Sequence, residues 1–487
     1  MSYALARPIT QGYISAERDR AMSFHRLLVL AALAAISLTH LGARCAAAPQ
    51  PLSPATATAD LSFNFKRSVA VGDDGTTHVV WHDDRAGTHQ VFYRRTLQGT
   101  EFDVETLLSA GAILAEHPSV ATAGDWVYVA YHEGSASGQD VFLLSSNDRG
   151  LTFGSPVRVS GSGASALASL AATDTRVHIA WMDDGGPSTE VMVRTSLDHG
   201  ATWNGVEQLS DAPYASWVPT VETSGDQVTV AWVDYRDANE EVYVRHSVDA
   251  GQSFGPRQRI TNDPADSWAP TLVVDGAFVA LAWFDRRDSP VTDAEVELPL
   301  DIAMSLLGLP PDPSPPRDPE IYYLPLFEAR VARKVAAILA AGPAWVAAGG
   351  DLALLQAALD EYQTRMNAWV AGFSVFLRRS GNGGLTFTPA VRLSTPPGPA
   401  LRPSLALDGN DLHVTWFDGR HQQFDIFYRH SPDRGVSFKP ELRLTQGASQ
   451  SLRPTIAAAR GRAELVWRDD RDGLPRIFHQ RLHVTSR

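Results

Sequence analysis

An aromatic residue followed two places later by an acid closes seven stretches of this chain, and the spacing of that mark limits the fold more than any other feature. It occurs as Trp81-His-Asp83, Tyr131-His-Glu133, Trp181-Met-Asp183, Trp232-Val-Asp234, Trp283-Phe-Asp285, Trp416-Phe-Asp418 and Trp467-Arg-Asp469. The aromatics advance by 50, 50, 51, 51, 133 and 51 residues. A fixed period of this size marks a repeat array, in which each unit buries its apolar face against the next. The one long step places about 82 extra residues between Asp285 and Trp416.

Inside each unit the apolar residues alternate, as in Val177 to Trp181 and Glu241 to Arg245, with Gly, Asp and Asn between the runs. Period two with such breaks predicts short antiparallel strands and tight turns. Four strands fit each unit: one such as Pro118–Thr122, one ending on the aromatic, one such as Val91–Arg95 and one such as Ala390–Leu393. The expected fold is therefore all-β, a seven-bladed β-propeller of four-stranded antiparallel blades. The arithmetic agrees: 487 residues, less a leader of about 48 and an insertion of about 82, leave about 51 per blade. The seventh unit stops after Ile477–Leu482 without a fourth strand, and Pro51-Leu52-Ser53 matches the Leu-Ser that ends other fourth strands (Leu209-Ser210, Leu393-Ser394). An N-terminal strand closing the last blade would remove the exposed edge of an open ring.

Residues 289–372 are expected to form a mainly helical insertion in blade five of a propeller spanning 49–487. Leu352, Leu355, Leu359, Tyr362, Met366 and Trp369 make one apolar helical stripe, with Asp351 placed to cap it. An earlier helix, about Leu326–Ala341, should end at Gly342-Pro343, giving a helical hairpin after the proline-rich stretch Pro310–Pro319. Its simplest role is a lateral brace; a lid over the central face and a dimer contact are the alternatives. The third strand of blade five fits either Glu320–Leu324, before the helices, or Ser374–Arg379, after them.

Residues 1–48 read as a signal peptide and leader. Leu27 to Leu38 is apolar but too short for the roughly 20 residues of a bilayer span. Arg18, Arg20 and Arg26 precede it and Ala46 to Ala48 follow, the three-part pattern of a secretory signal. The expected location is secreted, periplasmic or cell-surface, without membrane insertion after cleavage, and Met22 gives a more usual start than Met1. The single cysteine, Cys45, excludes an intrachain disulfide and a cysteine-based zinc site. Arg44 stands where a lipid-attachment motif needs a small residue. With 42 Lys plus Arg against 55 Asp plus Glu, a net charge of −13, the chain lacks the basic field of a nucleic-acid binder.

Between the third and fourth strands five units carry a common turn. It reads Ser146-Asn-Asp148-Arg-Gly150-Leu-Thr152-Phe153, Ser196-Leu-Asp198-His-Gly200-Ala-Thr202-Trp203, Ser247-Val-Asp249-Ala-Gly251-Gln-Ser253-Phe254, Ser380–Phe387 with Asn382 in the acid position, and Ser431-Pro-Asp433-Arg-Gly435-Val-Ser437-Phe438. The acid can accept hydrogen bonds from N–H groups of its own turn, and the glycine supplies a positive φ. These turns resemble the Asp-box, or BNR, repeat of the sialidase-like β-propeller superfamily. The resemblance covers most of the chain after the leader and implies a propeller with the boxes on the face opposite the active site. It further implies an exo-α-sialidase-type glycoside hydrolase with an arginine triad, a tyrosine nucleophile with a glutamate partner, and an aspartate acid/base. No Phe/Tyr-Arg-Ile-Pro occurs; Leu401-Arg402-Pro403 and Leu452-Arg453-Pro454 lack the intervening residue, and no catalytic role carries over to a numbered position.

Features common to every blade read as structural. The repeated acid is followed by Arg85, Arg236, Arg287, Arg420 and Arg471, pairs expected to tie blade to blade. At the start of the innermost strand the units differ, giving Lys66, His117, Leu167, Val218, Ala269, Arg402 and Arg453. The basic residues fall in blades six, seven, one and two, which are consecutive once the ring closes. The apolar ones occupy blades three to five, where Trp217 and Trp268 precede two of them. A cationic wall facing two indoles suits an acidic glycan, since guanidinium groups grip carboxylates or sulfates and rings stack on sugars. Lys66, His117, Arg402, Arg453, Trp217 and Trp268 are thus the ligand-binding candidates, unless alternate residues there turn toward the neighbouring blade. An enzyme would need a lone carboxylate and tyrosine in an irregular loop, for which Glu116 and Tyr214 are placed. A protein-interaction scaffold, using the helical hairpin, is the remaining class. Metal-protease, serine-hydrolase and phosphate-loop motifs are absent, the 15 histidines look scattered, and neither cofactor nor metal is expected.

Overall fold

The computed structural model describes residues 48–62, 67–98, 101–109, 113–135, 138–211, 215–237, 239–310 and 323–483; the Leu27–Leu38 run and Tyr214 lie outside them. Seven antiparallel sheets stand around a ring, six of four strands and one, blade one, of six. In blade one the innermost strand is split into Ala59–Asp60 and Val69–Val71, and two short strands, Glu101–Phe102 and Thr106–Leu107, share the outer edge. Blade seven takes its fourth strand from the N-terminus: Gln50–Pro51 pairs with Arg476–His483, opposite His479 and Phe478. Leu52 N–H then donates to Ile477 O at 2.7 Å, and Ile477 N–H to Ser53 Oγ at 2.9 Å. The ring closes as the Leu-Ser match predicts.

The repeated triplet explains itself in space. Trp81, Trp181, Trp232, Trp283, Trp416 and Trp467 are almost wholly buried, and each indole N–H donates to the acid two residues on, at 2.7–3.4 Å. The arginine two residues further holds the same acid, as in Arg85 Nε to Asp83 Oδ1 at 2.8 Å and Arg471 Nε to Asp469 Oδ1 at 2.9 Å. Its guanidinium lies over an aromatic of the third strand, 3.9 Å from the Phe92 centroid and 4.5 Å from that of Phe478. The pairs therefore clamp chiefly within a blade, and in two blades the arginine also reaches the connection from the blade before, Arg236 to Asp211 and Arg287 to within 3.9 Å of Asp263.

The innermost strands begin earlier than the proline suggests: blade two's spans Leu114–Ala123, with a register break between Glu116 and Ser119. The same break recurs in blades three to seven. Its first residue takes positive φ in every case: His117 (53°), Leu167 (55°), Val218 (51°), Ala269 (51°), Arg402 (55°) and Arg453 (54°). Proline follows five of these six, at a bulge where the ladder needs no donor.

The register also fixes the two ends of the ring. Ser267 opposes Asp285, so the chain leaves the second strand of blade five at the end where innermost strands begin. Three helices leave from that end: α1 (Asp293–Leu306), α2 (Tyr323–Ala347) and α3 (Leu352–Ala371). The third strand of the blade is Ser374–Ser380, after the helices. α1 was not anticipated, although Thr292 and Glu295 form a capping box. α2 runs through Gly342-Pro343, its end held by the N–H groups of Ala348, Gly349 and Gly350. The serine–aspartate turns lie at the other end. Gly150 N–H donates to Ser146 Oγ at 2.8 Å, and Thr152 N–H and Oγ donate to Asp148 at 2.9 and 2.6 Å.

Candidate functional site

Two strand positions line the end from which the helices leave. One is the middle residue of the repeated triplet; the other is the innermost-strand residue opposite it. Around the ring the pairs are Asp60–His82, Glu116–His132, Ala166–Met182, Trp217–Val233, Trp268–Phe284, Leu401–Phe417 and Leu452–Arg468. Blades three to six carry only apolar side chains there. At these two positions titratable groups are confined to blades seven, one and two, which are adjacent.

The apolar half is sealed. Trp217 and Trp268 are 6 % and 4 % exposed and share one hydrophobic cluster with Leu167, Val218, Ala269 and residues of all three helices. Phe373, just after α3, stands 5.5 Å from Trp268 and 5.1 Å from Trp369, ring centre to ring centre. Neither indole presents a face to a sugar, so the expected aromatic wall is core; the helices that cover it lie far away in sequence. The same packing places the insertion over the apolar sector of the central positions and not on the ring's outer side as a brace.

The polar half holds a tight group. The His117 ring sits 5.1 Å from that of His82 and 5.3 Å from that of His132, and His82 is 5.1 Å from His89. His89 Nδ1 meets Glu116 Oε1, while Glu116 Oε2 faces His132 Nε2 at 3.8 Å. Beside them Arg453 Nη1 donates to Asp60 Oδ2 at 2.8 Å, with Arg468 Nε 4.0 Å from the same oxygen. Burial lowers His82 to about 4 and takes His117 well below its ordinary value, with the charge of Arg453 adding to both. Burial alone would raise the carboxyls. The imidazoles of His132 and His89 instead hold Glu116 well below the carboxylate range, and Arg453 and Arg468 bring Asp60 to about 2. At neutral pH His82 and His117 are thus neutral, Glu116 and Asp60 are ionised, and the guanidinium groups beside them keep their charge.

Of the sequence-derived candidates, His117 and Arg453 come together here. Arg402 occupies the equivalent bulge position of blade six and is half-buried. Lys66 lies outside the described residues, next to Arg67, which has a φ of 30°. Glu116, expected in a loop, is a strand residue 1 % exposed. His82, His89, His132, Asp60 and Arg468 were missed. Three of these five had a signal, the middle residue of the triplet, which reads His, His, Met, Val, Phe, Phe, Arg around the ring. His89, on a loop, had none.

Fold and site define a seven-bladed propeller with one polar sector on its helix-bearing end. No family profile matches the chain, and no curated protein matches it. Among solved structures it is similar to a polysaccharide lyase of the ulvan lyase family PL25 bound to -[GlcA(1-4)Rha3S]-, with a TM-score of 0.50 and 8 % identity over 89 % of this chain and 96 % of that one. It is also similar to the Hadza microbial sialidase Hz136 (TM-score 0.43, 12 % identity, 82 % of this chain and 74 % of that one). A third is the GH93 α-L-arabinofuranosidase of Fusarium graminearum with arabinobiose (TM-score 0.40, 11 % identity, 74 % and 89 %). At these identities the likeness is one of fold.

Proposed function

We propose that this chain is a carbohydrate-active propeller that binds an acidic glycan in the polar sector formed by blades six, seven, one and two. The observation that carries the reading is the confinement of Arg402, Arg453, Arg468, His117, His82 and Glu116 to those blades, while equivalent positions elsewhere are sealed core. A propeller can close its centre with apolar residues, as blades three to five do, so the buried charges are not needed for closure. Guanidinium groups recognise carboxylate or sulfate, and the PL25 lyase complex gives an acidic sugar as the ligand of a similar fold. The leader fits an exported protein, where such polymers are met.

A hydrolytic reading draws support from neutral imidazoles packed against an ionised carboxylate, a set able to move a proton. The test is a glycan-array screen of the mature chain beside Arg402→Ala. The reading expects binding to uronate, sialylated or sulfated glycans and at least about tenfold weaker binding by the variant at unchanged thermal stability, the order of one lost charged contact. Binding only to neutral glycans, or none by either protein, would overturn it.

A further inference from the structure

The group of histidines at the junction of blades one and two is drawn from four separate segments. His82 is the last residue but one of the second strand of blade one, His89 precedes its third strand, Glu116 lies near the start of the innermost strand of blade two, and His132 lies opposite Glu116. A ring nitrogen of His82, one of His89 and a carboxylate oxygen of Glu116 all lie within 4.8 Å of one another. We propose that His82, His89 and Glu116 bind a divalent transition-metal ion of the zinc class, bridging blades one and two.

Three arguments carry this. The donor set, two imidazoles and one carboxylate, suits Zn2+ and its neighbours and not Ca2+ or Mg2+, which take oxygen ligands. Three protein ligands leave a position for water or substrate, as in catalytic zinc sites.

The second argument is an unmet need. Glu116 Oε2 and His132 Nε2 are buried and have no hydrogen-bond partner, standing 3.8 Å from each other. A carboxylate oxygen and a ring nitrogen buried beyond hydrogen-bond distance of each other are costly, and a cation beside the oxygen offsets that cost. The nearby Arg453 directs its Nη1 to Asp60.

The third is geometry. Bonds of about 2.0–2.2 Å place ligand atoms roughly 3.3–3.6 Å apart around a tetrahedral ion. Reaching that geometry from a spread of up to 4.8 Å takes side-chain movements of about 1 Å, with His89 Nδ1 and Glu116 Oε1, now in hydrogen-bond contact, moving apart to make room for the ion. His82 Nδ1 faces the His117 N–H at 3.4 Å, long enough for a hydrogen bond to be weak and for either nitrogen to serve as ligand. The expectation of a metal-free chain rested on histidines that look scattered in sequence; the ring brings His82, His89, His117 and His132 together.

This inference concerns the same end as the glycan reading but does not depend on it, and its test contains no glycan. Untagged, chelator-treated mature protein is titrated with ZnCl2 by calorimetry, and with CoCl2 by visible absorption, alongside His82→Ala, His89→Ala, Glu116→Gln and, as a control outside the group, His421→Ala. The expected result is saturable one-to-one binding, weakened by about 100-fold or more in each ligand variant and unchanged in the control. Cobalt should give d–d bands that the ligand variants lose. Should His82→Ala fail to fold, His89→Ala carries the test, since its loop position supports no core. Wild-type protein that binds only weakly and without saturation, or a folded His89→Ala that binds as wild type does, would overturn the proposal.

Discussion

The turn glycines show how much one residue decides. Gly150 has a φ of +79°, and a Cβ placed on it would lie 1.9 Å from the Tyr93 hydroxyl, which is hydrogen-bonded to His78 Nδ1 at 2.7 Å. Gly150→Ala must strain the turn and displace that buried pair, so it should destabilise by roughly 2 kcal/mol or more, read as a lower urea midpoint at unchanged slope. An unchanged midpoint would mean the turn relaxes freely. This motif was legible in sequence because its hydrogen bonds are local: Ser146 Oγ donates to Asp148 and accepts from Gly150 N–H, and Thr152 Oγ donates to Asp148. His82 and His132 were not, because the conspicuous residues of their triplets are the flanking aromatic and acid, and neither reports what the middle side chain faces.

At the scale of elements, strand pairing was readable and helix packing was not. Alternation and the missing fourth strand pointed to the closure by Gln50–Pro51, whose partners are some 430 residues away. A chain starting after Ser53 should leave the edge of Arg476–His483 open, lowering Tm and raising light scattering on heating; equal Tm and scattering would show that the latch is dispensable. The burial of Trp217 and Trp268 depends on where α1 to α3 land, a tertiary contact that no local pattern encodes. Phe373 joins that packing at 4 % exposure between Trp268, Phe284 and Trp369. Phe373→Ala should cost about 3–5 kcal/mol, measured by chemical denaturation. A loss under about 1 kcal/mol would show the insertion to be loosely docked.

For the whole molecule, seven copies of one unit spread some properties evenly and concentrate others. His78, His178, His246 and His413 recur in the second and third strands of four blades, and burial lowers them from 6.5 to about 4, 3, 4 and 4. A histidine lowered in the fold stays neutral where the unfolded chain takes up a proton. Its contribution is therefore complete above about pH 6.5 and is lost as pH falls toward 4, by up to about 1.4 kcal/mol per pH unit for each group. Urea midpoints should fall steadily from pH 7 to pH 4; a flat profile would place these rings in solvent. Function, by contrast, is assigned to one sector, and hydrogen exchange locates it most directly. With the strongest acidic glycan from the array bound, slowed exchange is predicted in peptides covering Leu114–Ala123, Trp126–Ser135, Ala400–Asp408 and Ser451–Ala459, with α1 and α3 unchanged. Protection confined to the helices, or to the serine–aspartate turns at the opposite end, would contradict the account.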